Sequence, residues 1–346
     1  MPAHDAAAAA AAASRPAWRR RARRWAAALL APSPRLMRRI AVAGLLAAVG
    51  IMLTGAAVRL SQSGLGCPDW PRCTATSIVA SGSSAADPLV HRWIEFGNRL
   101  AGVVVFVVAA VVWAAAWRYR PAGRRRADLV WLATAQPAGI AAQAVIGGIV
   151  VLTKLDPVWV TVHFLVSIAV VAAAVALRVR CTEGTGPARP VVRPELRWFA
   201  AGLLAVVTVM LAAGTVVTGT GPLAGAADVP RYHFVLQDVT QLHADIGWLL
   251  GALAFGLALA LRIAAAPARL TRLSWLLLGL IGVQGIIGYA QYFTGLPAGL
   301  VWVHEAGATV IWVTAVRLVF ATRDRGTAAG PGAAPAPAPA SRAAAG

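Results

Sequence analysis

Gln143–His163 reads QAVIGGIVVLTKLDPVWVTVH, and Gln284–His304 reads QGIIGYAQYFTGLPAGLVWVH. Each stretch runs from a glutamine in one apolar segment, across a short turn, to a histidine in the next. The interval is 20 residues in both. Along the way Ile146-Gly147 matches Ile287-Gly288, Thr153 matches Thr294, Leu155 matches Leu296 and Val160 matches Val301. Helices rich in Ala, Val and Leu resemble one another by chance. An equal interval with polar residues at both ends does not arise so easily, and the two stretches read as one helix–turn–helix unit used twice.

Composition places that unit in a membrane. Of 346 residues, 59% are hydrophobic and only 13% charged, too few charges to cover a soluble surface of this size. Apolar runs of about 20 residues, roughly the span of a bilayer core, fall at about 40–58, 93–117, 129–152, 158–178, 198–218, 240–263, 273–293 and 299–321. Arginine fills the segment from Arg15 to Arg39, the turns Arg118–Arg126, Arg178–Arg197 and Arg262–Arg272, and the positions Arg323 and Arg325 after the last run. The alternate loops hold only Arg72 and Arg92, then Lys154, then Arg231, and the fourth holds none. That alternation follows the positive-inside rule and predicts a cell-membrane protein with both termini cytoplasmic. The net charge of +19 is thereby assigned to orientation and to anionic lipid headgroups, and nucleic acid is excluded as a partner.

The repeat extends to the other helices. Gly55-Ala56-Ala57-Val58 in run one resembles Gly214-Thr215-Val216-Val217 in run five, and run two carries Asn98 with Gly102 where run six carries His243 with Gly247. Four helices per unit give both halves one orientation, related by an axis along the membrane normal. The expected fold is all-α integral membrane, eight transmembrane helices in two pseudo-symmetric four-helix bundles. Its parts are a disordered basic segment 1–38, an N-terminal half 39–180, a linker 181–197, a C-terminal half 198–322 and a disordered tail 323–346. No cleavable signal peptide is expected, because the first apolar run lies too far in and is long enough to span.

Histidines inside the spans carry the chemistry. His163 is the sixth residue of run four, His304 the sixth of run eight and His243 the fourth of run six, which places them roughly 5–8 Å inside the hydrocarbon boundary at one depth. A single membrane histidine is usually a satisfied polar group; three at one depth suit a ligand set. Haem iron takes axial imidazoles from facing helices, so His243 and His304 form a candidate pair, and Asn98 with His163 is its N-terminal counterpart. A closed zinc site would need four clustered ligands, and a proton relay is the other reading. Glu95 lies one turn from Asn98 on the same helix face, either as a functional carboxylate or as an interfacial i,i+4 partner of Arg99.

Cys67 and Cys73 share the first external loop, where a disulfide would close a short ring; Cys181 is expected as a free cytoplasmic thiol. The loop runs Arg59-Leu60-Ser61-Gln62-Ser63-Gly64-Leu65-Gly66-Cys67-Pro68-Asp69-Trp70-Pro71-Arg72-Cys73, dense in turn formers. It resembles the haem A synthase family, whose first external loop carries Arg-Leu-x-x-Ser-Gly-Leu-x-Cys-Pro-Asp-Trp-Pro, and the similarity covers about 40–321.

The resemblance implies an oxidoreductase that oxidises a ring methyl of haem O to the formyl group of haem A through successive hydroxylations, with water-derived oxygen, for cytochrome oxidase. It implies a haem b cofactor on His243 and His304, and substrate haem near His163, Asn98 and Arg99. Glu95 matches the family's helix 2 glutamate near the reacting methyl, and Cys67 with Cys73 the external cysteine pair. The usual Glu-x-x-His-Arg pattern reads Glu95-Phe96-Gly97-Asn98-Arg99 here, so a second histidine is missing on the substrate side. Expected partners are haem O and haem A, a haem O synthase (farnesyltransferase), cytochrome oxidase assembly factors and an unnamed electron acceptor, with homo-oligomerisation left open. His91, Arg92 and Arg59 are candidates for haem propionates or ordinary interfacial residues. His233 and His4 read as incidental, Gln143 and Gln284 as interhelical hydrogen-bonding groups, and Trp159 and Trp302 as belt residues. The competing class is a non-catalytic di-haem electron carrier. A duplicated transporter would have no need of matched histidines.

Overall fold

The computed structural model describes residues 32–81 and 89–326, together with Trp18 and Arg21. Apart from Trp18 and Arg21, the disorder expected for 1–31 and 327–346 lies outside the described residues. Eight helices among them are long and apolar enough to cross a membrane: α1 Pro34–Leu60, α2 Leu89–Arg118, α3 Ala127–Leu152, α4 Pro157–Arg180, α5 Pro194–Thr220, α6 Leu236–Ile263, α7 Ala268–Phe293 and α8 Ala298–Ala321. Proline opens α1, α4 and α5, where its missing N–H would be unpaired in any case. Ser33 and Asp156 add side-chain caps on the backbone N–H groups of Leu36 and Val158.

The turn inside the repeated unit has one geometry in both copies. Leu155 and Leu296 have positive φ, 61° and 60°, each preceded by another positive-φ residue, Lys154 and Gly295. Leu155 N–H bonds Val150 O and Leu296 N–H bonds Gln291 O, both at 2.8 Å. These bonds reach back over a left-handed residue and close the helix end, as in a Schellman cap.

Helices α1–α4 form one ring of neighbours closed by α1 on α4, and α5–α8 form another closed by α5 on α8. The halves meet where α4 packs on α8, and at two flanking seams, α4 on α5 and α8 on α1. Adding four to each helix number turns one seam into the other, as a two-fold axis along the bundle requires. Side chains are buried mainly toward the arginine-rich end. In α6 the buried residues run from Leu250 to Leu261, in α7 from Leu270 to Leu277 and in α8 from Thr309 to Leu318. The opposite end, where the histidines lie, is packed more openly.

Two boundaries differ from the sequence reading. Arg189–Pro190 (β1) pairs antiparallel with Arg323–Asp324 (β2), and Gly184 N–H bonds Gly326 O at 2.8 Å. The linker and the first residues of the tail therefore form one ordered clasp, because each satisfies the other's backbone groups. Residues 34–38, assigned to the disordered N-terminus, are the first turn of α1. Cys181 is a free, buried thiol, pushed up to about 12 by burial.

Candidate functional site

His163, His243 and His304 are the seventh, eighth and seventh residues of α4, α6 and α8. They thus stand within one residue of each other counted from the helix start, because α6 begins four residues before the apolar run. His243 and His304 face each other across the diagonal of the second bundle, ring centroids 6.4 Å apart and planes inclined by 58°. His163 occupies the equivalent corner of the first bundle without an imidazole opposite.

Each ring leans on a glycine of an adjacent helix. A Cβ at Gly147, Gly214 or Gly288 would sit 3.2, 3.2 or 3.1 Å from Cε1 of His163, His243 or His304. In all three rings Nδ1 is buried with no partner among the described residues. Nε2 is neither buried nor bonded, and so is the nitrogen available to a ligand. The backbone is fixed from behind: Gln143 Nε2 donates to His163 O at 2.8 Å and Gln284 Nε2 to His304 O at 2.6 Å. Three imidazoles pinned by glycine cradles, each with Nε2 free, fit axial ligation of haem. Among the described residues no three His, Cys, Asp or Glu side chains converge as a direct metal site.

Asn98 stands where His243 stands in the repeat, and its Oδ1 accepts a hydrogen bond from Thr54 Oγ1 at 2.7 Å. Gly55 matches Gly214, and a Cβ there would meet nothing within 4 Å. The N-terminal half therefore has the glycine but no ring against it.

Glu95 is 6% exposed and fixes the first loop. Its Oε2 accepts from Cys67 N–H at 2.7 Å and its Oε1 from Arg99 Nη2 at 2.6 Å. Arg99 also donates to the carbonyls of Cys67, Asp69 and Arg72 at 2.8–3.0 Å. Cys67 and Cys73 are joined by a disulfide. Gly66 lets the loop touch α2, since a Cβ would lie 2.8 Å from Arg92 N; Trp70 lies over Gly148 of α3 in the same way, 2.7 Å from the Cβ it lacks. His91 Nδ1 lies 2.7 Å from Ser63 Oγ, and Arg92 donates to Ser81 O, so both engage the loop.

Arg59 pairs with Glu305 and donates to Leu223 O. It joins α1 to α8 and to the loop after α5, beside the bond from Gly64 N to Gly225 O at 2.9 Å. Trp302, read as a belt residue, donates Nε1 to Leu53 O at 3.0 Å across the same seam. His233 is exposed, and His4 lies outside the described residues. The sequence reading missed Thr54, the cradle role of Gly214, and Glu305. An acidic residue directly after a membrane histidine was the available signal for Glu305.

Over 116 residues the chain is 32% identical to a protein named heme A synthase from Lysinibacillus sphaericus (strain C3-41), a stretch that is 33% of this chain and 35% of that one. It is 31% identical over 107 residues to a heme A synthase from Geobacillus thermodenitrificans, 31% of this chain and 30% of the relative. A heme A synthase from Geobacillus kaustophilus (strain HTA426) is 35% identical over 72 residues, 20% of each chain. These stretches span about a third of the relatives' length or less. Residues 38–316 match the COX15-CtaA family, described as cytochrome oxidase assembly protein. The match runs from within α1 to within α8, and the chain belongs to that family.

Proposed function

We propose that the chain is a haem A synthase that oxidises a ring methyl of haem O to the formyl group of haem A, in the cell membrane with both termini cytoplasmic. The observation that carries the reading is the asymmetry of the two halves. One bundle has a complete pair of imidazoles; the other has one imidazole, an asparagine, and a buried carboxylate clamped to a disulfide loop. A di-haem electron carrier would call for two similar sites and has no use for that carboxylate.

In this reading His243 and His304 would hold haem b through Nε2, and bound haem b would supply one-electron acceptance beside the substrate half. Gly214 and Gly288 fix the two rings, and Gln284 fixes the turn of α8 that carries His304. On the substrate side His163 holds haem O from one face, with Gly147 and Gln143 in the matching roles. Asn98, turned toward Thr54, leaves the other face without a protein imidazole. Glu95 manages protons and water at the methyl under hydroxylation, its pose set by Arg99 and Cys67 N–H. The loop from Ser61 to Cys73, tied down at Arg99 and Gly64, screens the site from bulk water. Haem O would come from a haem O synthase, and electrons leave to an acceptor of unassigned identity.

Extraction of the haem from the purified chain tests the reading. Haem O or haem A beside haem B supports it. Haem B alone at two per chain favours the carrier, and a chain with no haem overturns both.

A further inference from the structure

The arginine-rich end of the bundle carries a feature with no part in this chemistry. Arg35, Arg38 and Arg39 at the start of α1 and Arg178 at the end of α4 line, with Val42, a shallow cleft of about 390 Å³. Positions 35, 38 and 39 share one helix face. None of the four makes a hydrogen bond or ion pair among the described residues. At the same end, Arg126 and Arg180 share Asp128, and Arg180 also takes Glu183. Arg125 lies over Trp117 and Arg323 over Phe320. Those carboxylates are thus already engaged, while like charges on one helix face repel.

A comparable cleft at the same end of the second half shows the contrast. It is lined by Arg193, Glu195, Leu196, Ala260, Ile263 and Ala264, and Glu195 lies 3.5 Å from Arg193. That cleft brings its own counter-charge; the α1–α4 cleft does not. Val42 is the apolar residue that lines the cleft beside the arginines, and the cleft lies where two spans leave the hydrocarbon. An occupant that suits both parts has an anionic head and an apolar body.

We propose that this cleft is a headgroup site for an anionic phospholipid. Its phosphodiester is held by Arg35, Arg38, Arg39 and Arg178, and its first acyl carbons lie against Val42. Guanidinium groups converging from two helices suit the several oxygens of a phosphate better than a single ammonium would.

The full chain, purified in detergent, is offered diphosphatidylglycerol or phosphatidylcholine, and retained lipid is counted by native mass spectrometry. One diphosphatidylglycerol is expected to persist where phosphatidylcholine washes out, and retention is expected to fall as salt rises. The triple variant Arg35→Gln, Arg38→Gln, Arg178→Gln is expected to weaken retention by about a hundredfold, roughly fivefold per arginine. Arg193→Gln leaves it unchanged. Should the triple variant not fold, Arg38→Lys with Arg178→Lys keeps the charge and weakens retention by less than tenfold, about the cost of losing fork geometry. Equal retention of both lipids, or a triple variant that holds diphosphatidylglycerol like the parent, overturns the proposal. So does full displacement by millimolar inorganic phosphate, which would make this a free-phosphate site.

Discussion

Asn98 on α2 accepts a hydrogen bond from Thr54 on α1 at 2.7 Å, at the place where the second half sets the His243 ring against Gly214. Thr54 precedes Gly55 as Ala213 precedes Gly214. The N-terminal half has therefore exchanged an alanine–histidine arrangement for a threonine–asparagine bond. That bond turns the amide toward α1 and accounts locally for a half with one imidazole.

Reversing the exchange should restore a second ligand. The double variant Thr54→Ala, Asn98→His is expected to convert haem in the N-terminal half from one-histidine to two-histidine ligation. The readout is a new low-spin signal in the electron paramagnetic resonance spectrum. An unchanged spectrum would mean that residue 98 does not face the iron.

The glycine cradles make a graded prediction. Gly214→Ala and Gly288→Ala would place a methyl 3.2 and 3.1 Å from an imidazole carbon, inside the roughly 3.5–4.0 Å of an optimal carbon contact. Each should lower haem b retention by about tenfold, the equivalent of ~1.4 kcal/mol. Gly55→Ala, with open space around it, should not. Alanine favours a helix interior over glycine by up to about 1 kcal/mol, so a loss at 214 or 288 would come from the displaced ring. The haem-to-protein ratio of the purified variants reports it.

Glu95 and Arg99 can be separated. Arg99→Met removes donors from three loop carbonyls and takes one cation from a buried carboxylate, at a cost of about 3 kcal/mol. The loop from 61 to 81 should become sensitive to protease. Glu95→Gln still accepts from Cys67 N–H, so the loop should stay resistant while haem A formation is lost. Full activity in Glu95→Gln would reduce Glu95 to a loop anchor.

Hydropathy was enough to read the eight spans, because a bilayer imposes a length on each helix, and the repeated unit paired them into halves. Helix ends were less legible. α2 starts at Leu89 and α6 at Leu236, before the apolar runs begin, since backbone hydrogen bonding continues through polar first turns such as His91-Arg92 and Gln237-Asp238. The histidines were legible through the repeat interval. Contacts between residues remote in sequence were not: Thr54 with Asn98 is 44 residues apart and Arg59 with Glu305 is 246. Charge alone had offered Arg59 to a haem propionate, and its partner is a carboxylate of the other half. The clasp of Arg189–Pro190 on Arg323–Asp324 escaped notice for the same reason, as two residues on each side leave no periodic pattern.

The most direct test supplies haem O to membranes that contain this chain, from a host that makes haem O and has no haem A synthase of its own. Haem A should accumulate with the parent chain and not with His163→Ala or Glu95→Gln. Haem O left unchanged by a parent chain already loaded with haem B would contradict the account and leave an electron carrier in its place.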